Sequence, residues 1–336
     1  IRSNSIPLAL LTTRTISTQQ CRVRSTSNKL LFVKTPRRNV GEFLCYTAVM
    51  SKRAHLSIRE LEVLAYELRQ DVIQALVEAK SGHSAGPLGT AEIFASLYFS
   101  AMNIDSKKPN MPERDRFVLS NAHICPILYA TLARRGFCDR RDFLKNLRKI
   151  GHPFQGHSNN HWGIGIETCG GPLGQGVSQA VGMALYARQT KQSWRTYLMT
   201  GDGELDEGQC WEGFMFAGKE RLNNLTLIVD RNNIQIDGFT EKIMPLEPLA
   251  DKFKAFGWHV ISVDGHNVRA ILDALKKAET IYEKPTAIIA HTIPGKGVHF
   301  MERDYVWHGK PPNPEEAKIA LKELRTLQGR ITSEHE

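Results

Sequence analysis

The sequence predicts an α/β fold: a parallel sheet with helices on both faces. Two observations carry this reading. Short apolar runs at 196–200, 225–230, 258–263 and 286–290 alternate with helical periodicity over 209–221, 249–256 and 268–282. Strands that alternate with helices build parallel sheets, because each helix carries the chain back to start the next strand in the same direction. The composition, 41% hydrophobic and 24% charged, is that of a globular chain with enough apolar material for a core.

The elements follow in order. From Leu56 the pattern turns helical: Ser57 and Glu60 form a capping-box pair, and Ile58, Leu61, Leu64, Leu68, Val72 and Leu76 recur at three- and four-residue steps. The Gly-rich break Ser81-Gly82-His83-Ser84-Ala85-Gly86-Pro87-Leu88-Gly89 precedes a second apolar helix over 90–102. The stretch 152–176 is dense in Gly, Pro and His and has neither period, which predicts a long ordered loop with a functional role. A charged helical tail over 315–327 closes the chain.

Residues 1–49 stand apart. They hold eight basic residues and one acid, so they carry +7 of the chain's +9 and leave the body nearly neutral. That balance speaks against a nucleic-acid binder. The Ser/Thr/Arg-rich segment reads either as a transit-like peptide or as translated upstream sequence ahead of Met50. The missing amphipathic stripe favours the second. Either way residues 1–49 are a non-domain extension, and residues 50–336 form one domain. No apolar run approaches the ~18 residues of a membrane span. Cys21, Cys45, Cys125, Cys138, Cys169 and Cys210 form no CxxC pair, which points to a reduced, cytoplasmic compartment.

In a parallel sheet, ligands sit beyond the carboxyl ends of the strands. Two such loops stand out: Gly201-Asp202-Gly203-Glu204-Leu205-Asp206-Glu207-Gly208, and Asp230-Arg231-Asn232-Asn233-Ile234-Gln235-Ile236-Asp237-Gly238. The first places a carboxylate between glycines, where backbone can approach a bulky anion; the second brings amide oxygens. Together they offer a hard-oxygen set suited to Mg²⁺ on a diphosphate ester. An EF-hand reading from Asp202 fails because Glu207 stands where glycine is required. Neither GxGxxG after a strand nor GxxxxGK[ST] is present. His157 and His161 read as loop surface, and Glu204 and Asp206 as solvated or helix-N-terminal charge.

Gly201-Asp202-Gly203 with Asn232-Asn233 resembles the thiamine-diphosphate signature, and the chain from about Leu56 to Pro312 is similar to the N-terminal half of transketolase. Ser81-Gly82-His83, Arg114 through His123, Gly151-His152-Pro153, Gly170 through Gly176 and Trp307-His308-Gly309 carry the resemblance in the right order. It implies a thiamine-diphosphate-binding fold of the diphosphate-domain type. It further implies Mg²⁺ on Asp202, Asn232 and the Ile234 carbonyl, and cofactor contacts from His123, Gly171, Pro172, Leu173, Gly203, Asn232 and His308. His123 and His308 would carry protons, His83 and His152 would face the sugar, and Glu207 would lie near the subunit interface.

The resemblance also implies what is absent. The domain that supplies the activating glutamate and stacks the pyrimidine follows in the family, so the chain reads as one half of a split transketolase or the front part of a truncated product. The partner expected is a separate C-terminal half, in an assembly of two copies of each chain. Sugar phosphates would be substrates. The alternatives are deoxyxylulose-phosphate synthases, split 2-oxo-acid dehydrogenases, unusual-sugar transketolases and a cofactor-binding chain with no chemistry of its own.

Overall fold

The computed structural model describes residues 56–333; the extension at 1–49 lies outside them. Seven strands are present among the described residues: β1 (Arg116–Leu119), β2 (Thr196–Gly201), β3 (Leu225–Arg231), β4 (Ile234–Gln235), β5 (Gly238–Phe239), β6 (His259–Asp264) and β7 (Thr286–His291). Five of them form the main sheet in the order β1-β2-β3-β7-β6, every pair parallel. β4 and β5 are a two-strand antiparallel hairpin just past β3.

The pleat explains why both faces are covered. Successive side chains of a strand point to opposite sides. On one side Phe117, Leu119, Tyr197, Met199 and Ile228 pack into a core shared with the helices Ile58–Ala79, Ala91–Ser96, Cys125–Arg135, Val268–Glu279 and Pro314–Ser333. On the other Val118, Leu198, Leu227, Val229 and Ile289 pack with the helices Gln175–Gln189, Gly208–Lys219 and Leu249–Ala255. Strands buried on both faces must be apolar throughout, which is why β2, β3 and β7 were visible as runs, while β6 lies at the partly exposed edge of the sheet. The parallel sheet with helices on both faces is the fold observed.

The first helix starts as its sequence predicts: the Glu60 amide donates to Ser57 Oγ at 3.2 Å, and the Ser57 amide donates to Glu60 at 2.7 Å. The helix expected over 90–102 is a short α-helix, Ala91–Ser96, running into a π-helical turn, Leu97–Ala101. β1 is a fifth strand that the pattern did not announce, since four residues behind Arg114-Asp115 are too short to show a period. The helix Gln175–Gln189 was hidden by Gly176 and Gly182 in its interior. None of the helices among the described residues is long and apolar enough to cross a membrane.

Gly176 shows how closely the helices are seated on the strand ends. A Cβ there would lie 2.6 Å from the Ser120 Cβ and 2.7 Å from its Cα, immediately past β1. Gly176→Ala gains about 0.5–1 kcal/mol of helix propensity. It should lose more, about 1–3 kcal/mol, by overpacking. Urea unfolding is therefore expected to show a lower midpoint, and an unchanged or higher midpoint would contradict the close approach.

Candidate functional site

The carboxyl ends of β1, β2, β3 and β7 lie side by side, and the loops leaving them build the site. β2 and β3 are neighbours with Gly201 opposite Asp230. The Asp202 amide extends that ladder by one more bond, to the Asp230 carbonyl at 3.2 Å. Asp202 and Asn232 therefore sit on adjacent loops, as the sequence predicted.

Asp202 is buried. Its Oδ1 accepts the Gly203 amide at 2.8 Å, and its Oδ2 accepts the Asn233 amide at 2.7 Å and the Arg231 guanidinium at 2.9 Å. Burial pushes the carboxyl up to about 6, against the pull of Arg231. Asn232 is turned by its neighbours. Its Nδ2 donates to Asp230 at 2.8 Å and its Oδ1 accepts the Ile234 amide at 3.0 Å. Asp230 in turn accepts the Thr292 hydroxyl. This chain of bonds fixes which end of the Asn232 amide presents oxygen. Asn233 makes the turn with φ +64°.

The residues present suit a cation and a diphosphate. Asp202 Oδ1 and Asn232 Oδ1 each accept one bond, so each retains a lone pair. Gly203 has its amide against the carboxylate, and a Cβ there would lie 3.0 Å from Gln235. Next to Gly201, both amide atoms of Asn121 are buried without a partner among the described residues, as are the Nδ1 atoms of His83 and His308. Buried polar groups left open in this way call for a polar ligand or water. Among the described residues no three His, Cys, Asp or Glu side chains form a group that could hold a metal ion.

Three histidines from distant segments meet beside this set. The ring centroids of His83 and His123 are 5.0 Å apart, those of His123 and His308 5.1 Å, and those of His83 and His308 5.8 Å. Ser84 Oγ, donating to the Lys310 carbonyl at 2.6 Å, closes the loop of His83 onto that of His308. Burial lowers all three: His83 to about 4, His123 well below the usual imidazole value, and His308 in the same direction. They are neutral at pH 7.

His152 is not brought to this trio. Its ring contacts none of the three and faces Asp142, with Nδ1 3.5 Å from the carboxylate. The structure places His157 there instead. A Cβ on Gly171 would lie 3.9 Å from the His157 ring, and a proton on that ring would disfavour protonation of both His83 and His123. Tyr129 holds the loop by donating to the carbonyls of Gln155 at 3.0 Å and His157 at 3.2 Å, and Arg148 reaches Ser81 Oγ at 2.7 Å. His157 is exposed on the loop, as expected, but on the side of the loop that faces Gly171. His161 is exposed, as expected.

Gly171, with φ +146°, Pro172 and Leu173 form the rim. Gln209 Nε2 donates to the Leu173 carbonyl at 2.8 Å. Glu207 is exposed at the start of the helix Gly208–Lys219 and makes no capping bond. Asp206 is exposed, but Glu204 is not a solvated charge: it is 3% exposed and hydrogen-bonded to two other segments, at Ser120 and Gly174, and to Gly201 of its own loop. Only its place after β2 could have marked it in the sequence.

The sequence profile described as "Transketolase, thiamine diphosphate binding domain" matches residues 62–328. The 6-deoxy-6-sulfo-D-fructose transketolase subunit of Clostridium sp. (strain MSTE9) is 43% identical over 265 residues, 79% of this chain and 96% of the relative. One of the apulose-4-phosphate transketolase subunits, that of Phocaeicola vulgatus, is 36% identical, covering 80% of this chain and 95% of its own. Human transketolase is 39% identical over 80% of this chain but only 42% of its own length. Among solved structures, the Pichia stipitis transketolase complex with sedoheptulose 7-phosphate superposes with a TM-score of 0.72 at 30% identity, covering 82% of this chain and 46% of that one. The chain thus spans under half the length of the solved transketolases it matches. By fold, by the order of its strand-end loops and by these likenesses, the chain belongs to the transketolase family of thiamine-diphosphate-binding domains.

Proposed function

We propose that the chain is the diphosphate-binding subunit of a two-chain transketolase, which moves a two-carbon ketol group from a ketose to an aldose with thiamine diphosphate and Mg²⁺. The observation that carries this reading is the pairing of Asp202 with Asn232 at adjacent strand ends beside three desolvated imidazoles. The extent of the match supports a separate partner: 96% and 95% of two transketolase subunits against 42% of human transketolase. The partner would bring the pyrimidine half of the site. The sugars named for the two subunits favour an unusual ketose over the ordinary pentose phosphates.

Mg²⁺ would be held by Asp202 Oδ1, Asn232 Oδ1 and the Ile234 carbonyl, a hard-oxygen set completed by diphosphate and water. Gly203, Asn232, His123 and His308 would meet the diphosphate, and Gly171, Pro172 and Leu173 the aminopyrimidine side. When bound, thiamine diphosphate supplies a nucleophilic carbon for the ketose carbonyl. The chain's own contribution to the chemistry is a set of neutral bases. An imidazole kept neutral by burial can accept the C3-hydroxyl proton when the C2–C3 bond breaks, and return a proton to the acceptor's oxygen. His123 and His308 are nearest the expected diphosphate and take that traffic. His83 faces the sugar, and His157 takes the sugar-side place that the sequence assigned to His152. Glu207, exposed beyond the cation loop, is open to contact from a neighbouring chain.

Asp202→Ala removes the one charged group among the three cation ligands proposed from this chain. Calorimetry of the assembled enzyme should show loss of Mg²⁺-dependent thiamine-diphosphate binding, and wild-type affinity would overturn the assignment. Ketol transfer from a ketose phosphate, and separately from a 6-sulfo ketose, should require both this chain and a C-terminal transketolase half. Turnover by this chain alone would refute the two-chain reading.

The histidines set a pH dependence. The unfolded chain protonates His83 as pH falls through 6.5, whereas the folded chain resists to about 4. The unfolded state therefore binds more protons in that window, and stability is lost as pH falls from 6.5 towards 4. His83→Asn should lose less stability than wild type over this interval in urea titrations. Parallel curves would show that His83 is not desolvated.

A further inference from the structure

We infer that Glu204 is a positioning residue, a buried carboxylate that locks three loops of the cofactor site to one another. The inference rests in part on the reading of Asp202 as the cation ligand. Glu204 sits two residues past Asp202, in the short 3₁₀ turn Gly203–Asp206. One oxygen, Oε1, accepts both the Ser120 hydroxyl and the Gly174 amide, the latter at 2.7 Å. The other, Oε2, accepts the Gly201 amide at 3.1 Å.

Each donor belongs to a different wall of the site. Ser120 follows β1 and leads through Asn121 to His123. Gly174 closes the Gly171–Leu173 rim, with φ +81°, and precedes the helix Gln175–Gln189. Gly201 ends β2 and is bonded in sequence to Asp202. A bound cofactor must span the distance from the cation loop to the rim, so the spacing of those two loops is what its affinity depends on. Glu204 spans the same gap from below with a rigid carboxylate. Such a group, supporting ligands without touching the cofactor itself, typically changes metal or cofactor affinity about 10–100-fold when altered.

The chemistry of the donors makes the carboxylate hard to replace. All three partners donate, so the acceptor must offer oxygen at both ends. Glu204→Gln keeps the shape but turns an NH₂ group towards a backbone N–H, leaving one buried donor unpaired. Leu205 and Cys210 beside it are buried, and Cys210 Sγ donates to the Glu204 backbone carbonyl at 3.4 Å.

The test compares wild type, Glu204→Gln, Ser120→Ala and Asp202→Ala in the full chain with its partner subunit. Thiamine-diphosphate affinity is measured at saturating Mg²⁺, and turnover at saturating cofactor. Glu204→Gln should bind cofactor about 10–100-fold more weakly. It should also recover most of its turnover when cofactor saturates, a split that general destabilisation would not produce. Amide exchange in the cofactor-free chain should quicken at Gly174 and Gly201 together. If Glu204→Gln does not fold, Ser120→Ala, which removes one bond only, should weaken affinity in the same direction by a smaller factor. A folded Glu204→Gln with wild-type affinity, or a Ser120→Ala without any loss where the first variant fails, would overturn the inference. Normal binding by Asp202→Ala would instead refute the cation assignment, while the amide exchange still reports on the tie.

Discussion

Everything at the site depends on the parallel pairing of β2 with β3. Parallel neighbours end at the same edge of the sheet, so the loop after each strand emerges beside the other. The register, Gly201 opposite Asp230, then sets which residues leave the ladder first. A slip of one residue would turn the alternating side chains of β3 to the wrong faces, sending Asp230 to where Arg231 now lies. The apolar residues of β3 resist that slip because the strand is buried along its whole length.

Charge at the end of so buried a strand is tolerated because every group is met. Asp230 is bonded to Thr292 and Asn232. Arg231 is bonded to Asp202, and also reaches Glu241 at 2.5 Å and Glu247 at 3.1 Å. Breaking one member of such a set leaves an uncompensated buried charge, which costs far more than the pair contributes when intact. The two Glu residues surrounding Arg231 also offset its positive charge, which would otherwise repel a cation at Asp202. The same low-polarity setting holds the imidazole trio neutral. Desolvation thus acts on the Asp202 carboxyl and on the imidazoles by one physical cause, raising the first and lowering the others.

The main sheet was legible in the sequence because a strand covered on both faces has to be apolar at successive positions, and the runs at β2, β3 and β7 show it; β6, at the partly exposed edge, shows a weaker run. Asp202 and Asn232 were legible because topology alone carries the residues after two neighbouring strands to one place. His83, His123 and His308 were legible as members of Gly- or Pro-flanked loops. β1 was not, being four residues long, and neither was the helix behind Gly174, whose Gly176 lets it approach Ser120.

The order of elements, the sheet and the location of the site were therefore determined by local pattern and by the rules of parallel topology. Which side chains face the site within the long loop was decided by tertiary contacts. His152 and His157 share the same loop and the same chemistry, and nothing in their spacing separates them. Tyr129 on one helix, holding the carbonyls of Gln155 and His157, and Asp142 on another, facing His152, make the selection. Glu204 likewise is an ordinary acid in a polar loop until Ser120, Gly174 and Gly201, drawn from three separate stretches of the chain, close around it. A loop has no periodicity to disclose its inward face, so only the packing of the rest of the chain can assign it.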